Sequence, residues 1–324
     1  FCEQIMQLAE IIEAPILTTF KAKGLVPDTY PLACGVLGRS GTPVAAFMMN
    51  RADTMLVFGA SFSNHTGIAS YKKLIQVDSD RMILGKFHPV NVPIWGDIGM
   101  TVAQMIDALE GTKGTYNRDY IRREIAGRWS QWRKEKSDRA KAGDENGVNN
   151  ATLFREMGAV VPENAVIAVD VGNNTYSFGR YFETKTGQEL LMSGYLGSIG
   201  FAFPAAIGAA VAVDGERPIW AVAGDGGFGQ YTMEFTTAVK YDLPIKLVLL
   251  NNDQIGKISK EQRGVKLPVW QTSLVNPNFA EFAKMCGGWG KRVTSHDDLP
   301  KGLQELADID GPGILEVITD PLKI

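Results

Sequence analysis

The chain has 324 residues, 45% hydrophobic and 21% charged, with a formal net charge of −3. That is the composition of an ordinary globular protein of about two domains; it excludes a nucleic-acid or polybasic membrane surface, and no apolar run reaches the ~18 residues of a bilayer span. Cys2, Cys34 and Cys286 are too scattered for a disulfide scaffold and form no C-x-x-C pair, which points to the reducing cytoplasm, while the scattered His65, His88 and His296 argue against a zinc site or a His-based triad.

Residue 1 is Phe, and residues 1–15, with Ile5, Leu8, Ile11 and Ile12 on one face, predict an amphipathic helix and no signal peptide. The expectation is the downstream part of a longer protein. Short apolar runs at 14–20, 54–60, 73–80 and 92–97, each closed by turn or polar residues, predict parallel strands buried on both faces. With helices over 43–50 and 101–109 they make an α/β domain over 1–112. Residues 113–150 are dense in interleaved charge and predict a connector, a solvated helix from about 118 to 140 followed by a polar loop.

A second α/β pattern fills 151–324, with strands at 165–171, 189–193, 218–224, 245–251 and 313–319. Helices fit 151–160, 204–213, 230–241, 278–285 and 299–306; the small-residue run FAFPAAIGAA reads as a tightly packed helix. The predicted fold is therefore two doubly wound parallel-sheet domains joined by a charged helical linker.

Ligands of open α/β sheets bind beyond the carboxyl ends of the strands. Four such ends carry unusual residues: DVGNN at 170–174, SGYLGSIG at 193–200, GDGGFG at 224–229 and NNDQ at 251–254. GDGGFG fits the dinucleotide fingerprint G-x-G-x-x-G, but Asp225 would repel a bare pyrophosphate. A divalent cation turns that repulsion into bridging, because Mg2+ takes carboxylate, amide and phosphate oxygens together. Asp225, an amide oxygen of the Asn251–Asn252 pair and the backbone carbonyl of Gln254 are suitable donors. The 24 residues between Gly226 and Asn251 suffice for a helix, a turn and a strand, which returns the chain to the same rim.

GDG followed after 24 residues by NN resembles the motif of the thiamine diphosphate-dependent 2-oxo acid enzymes, the group of pyruvate oxidase, acetolactate synthase and pyruvate decarboxylase. The stretch from GVLGRSGTP to VPIWGDIG resembles that family's central domain, and the stretch from DVGNN to NND its diphosphate-binding domain. The resemblance implies thiamine diphosphate and Mg2+ as cofactors, with Asp225, Asn252 and the Gln254 carbonyl as metal ligands. It implies a diphosphate site at Gly172, Asn173, Asn174, Gly224, Gly226 and Gly227, flanked by Ile255 and Gly256. Ile199, between Ser198 and Gly200, resembles the apolar wedge beneath the bent cofactor, and the Gly197 carbonyl the acceptor for its 4′-amino group. Asn173–Asn174 also read as an Asx turn, and Ile199 as plain core.

The family's third domain, which binds the pyrimidine ring and carries an activating glutamate, has no counterpart in this sequence. The resemblance therefore implies that this chain alone holds the cofactor poorly and does not turn over, and that the active protein is a homodimer or homotetramer. Glu261 resembles an active-site glutamate of pyruvate oxidases, and acetolactate synthases carry a tryptophan near this position; it also reads as a solvated loop residue. Lys257 is an unusual basic residue at this place, and it could meet a substrate carboxylate or simply be solvated. Oxidase-like relatives bind FAD near the segments that hold 39–43, His65, Asp78 and Asp80, so FAD is admitted but not required. The expected activity is decarboxylation of a 2-oxo acid such as pyruvate, with oxidation of the intermediate. Acetolactate synthase and non-oxidative decarboxylase remain as alternatives, with an NAD-dependent dehydrogenase or a non-catalytic assembly fragment further off.

Overall fold

The computed structural model describes residues 1–62, 66–69, 71–112, 119–141, 143 and 145–322. Packing divides the chain into two compact units, Phe1–Lys134 and Glu135–Ile324.

The first unit contains α1 (Cys2–Ile12), β1 (Ile16–Thr18), β2 (Ala33–Val36), α2 (Pro43–Arg51), β3 (Thr54–Phe58), β4 (Lys73–Asp78), β5 (Val92–Trp95) and α3 (Ile98–Leu109). Strands β1 and β2 form one parallel sheet, and β3, β4 and β5 another. Every strand expected from the apolar runs is present, a few residues shorter at its ends. β2 was not foreseen: ACGV is four residues long and carries a glycine at φ +79, a weak strand signal.

Helix α4 (Asp119–Ala140) matches the expected connector helix in span but not in solvation. Ile121, Ile125, Trp129 and Trp132 recur at helical spacing and are buried, and Trp129 Nε1 donates to the Ala33 carbonyl at 2.8 Å. Charge on three sides of the helix hides this narrow stripe from composition alone. The division between the two units falls within α4, at Lys134 and Glu135.

The second unit runs through α5 (Asn150–Val160), β6 (Val166–Val169), α6 (Asn173–Tyr181), β7 (Glu189–Met192), α7 (Ala202–Val213), β8 (Ile219–Gly224), α8 (Asp225–Phe228), α9 (Glu234–Lys240), β9 (Ile245–Asn251), α10 (Gly256–Gly264), α11 (Phe279–Met285), β10 (Trp289–Val293), α12 (Leu299–Asp308) and β11 (Gly313–Ile318). Its six strands are parallel in the order β10-β11-β9-β8-β6-β7. Strand β9 is buried throughout, as its unbroken apolar sequence requires of a strand covered on both faces. The chain steps from β6 outward to β7 and then back across β6 to β8, so the winding direction reverses at β6. That reversal opens a crevice at the carboxyl ends of β6 and β8, where open α/β sheets hold their ligands.

Strand β10 escaped the sequence reading because Lys291 and Arg292 break its apolar run; each pairs with a carboxylate, Glu305 and Glu316. Helix α10 read as a loop because GKISKEQRG is polar and ends in glycine.

Candidate functional site

The glycine turn after β8 is anchored from below. Phe228, fully buried, packs edge-on against Phe203 of α7 and Phe279 of α11, with ring centroids 5.4 and 5.7 Å away. Fixing Phe228 fixes the single turn of α8, and Asp225 at its start faces the crevice. Gly227 must lack a side chain for want of space: a Cβ there would lie 2.2 Å from Asp170 Oδ2.

The crevice becomes a cleft that opens to solvent. It is lined by 171–174 after β6, Ile199, 224–227 at the end of β8, Leu250, Asn252 and 254–257 at the end of β9, with Asn150, Thr319 and Asp320. The structure thus brings together Gly172, Asn173, Asn174, Ile199, Gly224, Asp225, Gly226, Gly227, Asn252, Gln254, Ile255 and Gly256. Gly197 and Ser198 lie in the turn that carries Ile199 but do not themselves line the cleft. Glu261 does not line it either; it is exposed on α10 and paired with Lys257 one turn earlier, and Lys257 is the member of that pair that reaches the cleft. The sequence reading missed Asn150, Val171, Leu250, Thr319 and Asp320; the last two follow β11.

Asp170 ties two walls together. Its Oδ1 accepts from the backbone N–H of Val171, Gly200 and Phe201 at 2.7, 2.8 and 3.2 Å, so the end of β6 holds the turn bearing Ile199. That turn is also closed by Gly197 N–H to the Ser193 carbonyl at 3.0 Å and Ser198 N–H to Ser193 Oγ at 3.0 Å. Ile199 stays 36% exposed, so it belongs to the cleft wall and not to the core. Asp170 Oδ2 is buried without a partner, and burial pushes the carboxyl up to about 6 against the pull of the three backbone donors.

Asp225 is buried, and desolvation pushes its carboxyl up to about 6. The Asn276 amide and the N–H groups of Gly226 and Asn252 pull the other way, and the Asp253 charge raises it further. Asn276, unforeseen in the sequence, donates through Nδ2 to Asp225 Oδ2 at 2.8 Å, Asn251 Oδ1 at 3.0 Å and Asp253 Oδ1 at 3.0 Å. Asn251 is held in turn: its Nδ2 donates to Glu316 Oε1 at 2.8 Å, and Arg292 grips the same buried carboxylate at 2.9 and 2.7 Å. Asn252 Oδ1 accepts the Gln254 N–H at 3.3 Å.

The cleft suits a metal-bridged anion. Both amide atoms of Asn173, at the start of α6, are buried in the cleft wall without a partner, a cost the fold bears only if a ligand meets them. The N-terminus of α6 and the surrounding glycine backbone add donors for an anion. Among the described residues no group of three or more His, Cys, Asp or Glu converges, so a cation here would rest on one carboxylate and neutral oxygens, the hard donor set that Mg2+ takes.

Comparison with known proteins identifies two domains. Residues 170–317 match the model of the thiamine pyrophosphate enzyme C-terminal TPP binding domain, and residues 1–105 that of the thiamine pyrophosphate enzyme central domain. The chain belongs to the thiamine pyrophosphate enzyme family. It is 30% identical to the "Putative thiamine pyrophosphate-containing protein YdaP" of Bacillus subtilis over 97% of this chain and 54% of that protein. It is likewise 30% identical to acetolactate synthase 1, chloroplastic, of Nicotiana tabacum over 98% of this chain and 49% of that protein, and 28% identical to the acetolactate synthase isozyme 1 large subunit of Escherichia coli over 98% and 56%. This thiamine pyrophosphate enzyme chain thus spans about half the length of the curated relatives it matches. Among its described residues no helix is long and apolar enough to cross a membrane.

In the first unit, Asp78 Oδ1 accepts the Asp80 N–H and Asp80 Oδ1 the Met82 N–H, each at 2.9 Å. Both carboxylates close the turn after β4. His65 lies outside the described residues.

Proposed function

We propose that this chain supplies the diphosphate and Mg2+ half of an enzyme that uses thiamine diphosphate to decarboxylate a 2-oxo acid and join the product to a second carbonyl compound. The observation that carries the reading is the pairing of Asp225 and Asn252 across one cleft with the unpartnered Asn173 amide. In it, Asp225, Asn252 and the Gln254 carbonyl hold Mg2+, while Gly172, Asn173, Asn174, Gly224, Gly226 and Gly227, with Ile255 and Gly256 alongside, receive the diphosphate. Ile199 presents its side chain to the cleft as the wedge, and the Gly197 carbonyl accepts the amino group of the pyrimidine ring. Once bound, thiamine diphosphate supplies an electron sink for the carbanion left by CO2. The protein residues bind and orient; the activating glutamate comes from a pyrimidine-binding domain outside this sequence, in an active site shared between subunits of a homodimer or homotetramer.

Carboligation is favoured by the relatives named acetolactate synthase. A second reading, oxidation of the intermediate as in pyruvate oxidase, is favoured by Glu261 standing where a tryptophan would otherwise be expected. FAD would serve that reading, and an absorbance band near ~450 nm in the purified protein tests whether FAD is bound.

Calorimetric titration tests the cofactor reading, with the chain alone and with a pyrimidine-binding region added. Heat and thermal stabilisation from thiamine diphosphate plus Mg2+, lost in Asp225→Ala, support it. An equal or larger response to NAD, or full metal dependence in Asp225→Ala, overturns it.

A further inference from the structure

The Asn276 side chain touches two carboxylates beside the cleft, those of Asp225 and Asp253. It sits in the segment after α10 that runs beside the 253–255 turn, held there by Ile255 N–H to the Thr272 carbonyl at 2.7 Å and Leu274 N–H to the Asp253 carbonyl at 2.8 Å. The orientation of its amide is dictated by its neighbours. Two of the three oxygens around it belong to carboxylates, Asp225 and Asp253, which only accept; the atom facing them must therefore be the nitrogen. Two N–H groups serve three acceptors, and Asp225 Oδ2 has the shortest contact, 2.8 Å.

Three consequences follow from this geometry. The amide places partial positive charge between two carboxylates that would otherwise repel across the rim. It engages Asp225 through Oδ2. It also fastens Asp225 to Asn251, the neighbour of Asn252, and through Asn251 to the buried Glu316–Arg292 pair. Donors on either side of the cleft are thereby held at a fixed separation.

We infer that Asn276 is a positioning residue for the divalent cation: its amide holds Asp225 as a one-oxygen ligand aimed at the cleft and fixes that oxygen relative to Asn252. The inference rests on the proposed function, which names Asp225 and Asn252 as ligands, and adds a residue that touches neither cofactor nor substrate. A metal-bound Asp225 keeps its Oδ2 on Asn276, so the metal does not compete with the amide.

Mn2+ in the presence of thiamine diphosphate is the probe, with the free ion read by electron paramagnetic resonance on the complete protein that contains this chain. Asn276→Ala is expected to weaken Mn2+ binding about tenfold, the scale of one hydrogen bond to a charged group. In the Asp225→Ala background the same substitution is expected to change the residual binding less than about twofold, because its effect passes through Asp225. Should Asn276→Ala not fold, Asn276→Leu, which keeps the volume and removes the donor, is read in the same way. A crystal structure with metal bound gives an independent reading: Asp225 coordinates through one oxygen while Asn276 stays on the other. Wild-type affinity in Asn276→Ala, an equal loss in both backgrounds, or a bidentate Asp225 overturns the inference. A wild-type protein that takes up no Mn2+ overturns the cofactor reading itself, and the inference with it.

Discussion

Asp170 and Gly227 lie at the ends of neighbouring strands and share one small space: a Cβ on Gly227 would fall 2.2 Å from Asp170 Oδ2. A Cβ on Gly226 would meet only the ends of flexible side chains, Ile255 Cδ1 at 2.5 Å and Leu274 Cδ1 at 3.3 Å. The two glycines of one motif therefore carry different penalties. Ile255 can swing its terminal methyl away, whereas the Asp170 carboxylate is pinned by three backbone donors. Gly227→Ala is expected to cost about 3 kcal/mol and Gly226→Ala about 1 kcal/mol in denaturant unfolding, the two ends of the overpacking range. Equal costs would mean that the Asp170 carboxylate moves as freely as a methyl group.

The same carboxylate makes stability depend on pH. Burial raises Asp170 to about 6 in the folded chain, from 3.8 when exposed. Between those values the native state holds more protons than the unfolded one, so this group's contribution to stability falls as pH rises from about 4 to about 6. The total loss is about 3 kcal/mol at 1.36 kcal/mol per pKa unit. Asp170→Asn does not titrate. Its stability relative to the wild type, measured without metal, should therefore improve by that order between pH 4 and pH 7. A constant difference across the range would show that Asp170 is not buried as an acid.

Glu316 is fully buried on β11, and its carboxylate accepts from Arg292, from Asn251 Nδ2 and from the Ala280 N–H. Arg292→Ala leaves that charge without its cation, at a cost of about 3 kcal/mol, the lower end for a broken buried pair because the guanidinium reaches solvent. Glu316→Gln keeps the size, and an amide retains an acceptor for Asn251, so it should cost less and restore part of the loss in the Arg292→Ala background. Chemical unfolding of the two single variants and the double variant reads this cycle. Additive losses would dissolve the link between the outer strand and the cleft rim.

The sequence made the strand ends legible because their chemistry is concentrated in short words. GDG and NN carry acid, glycine and amide at a separation that one helix and one strand must span, and Asp225 and Asn252 do line one cleft. Asn276 was not legible in this way. It lies in the irregular segment SLVNPN, where the Asn-Pro step signals only a turn, and it reaches Asp225 through chain folding that no local period records. Glu316 did leave a signal, a lone carboxylate within the apolar run GILEVIT; a buried acid needs a partner, and a search for one would have led to Arg292 on a strand that its own charges disguise. The stripe of Ile121, Ile125, Trp129 and Trp132 was legible in period but lost among the charges of α4.

Lys257 and Glu261 decide whether the oxidase-like reading deserves pursuit. They pair along α10 at a spacing of one turn, with Glu261 mostly exposed and Lys257 reaching both the cleft and the Tyr176 ring, 5.3 Å from its centroid. An exposed pair of this kind contributes about 0.5 kcal/mol or less, so Glu261→Gln and Lys257→Met should leave the unfolding midpoint nearly unchanged. Any kinetic effect in the assembled enzyme is then functional. If Glu261 acts on the intermediate, Glu261→Gln lowers kcat with KM for the 2-oxo acid unchanged, because only the later step is touched. If Lys257 meets the substrate carboxylate, Lys257→Met raises KM by about tenfold with little change in kcat, the loss of one charge-assisted hydrogen bond in the ground state. Unchanged kinetics in both variants would return the pair to the solvated surface and remove the support for the oxidase-like reading.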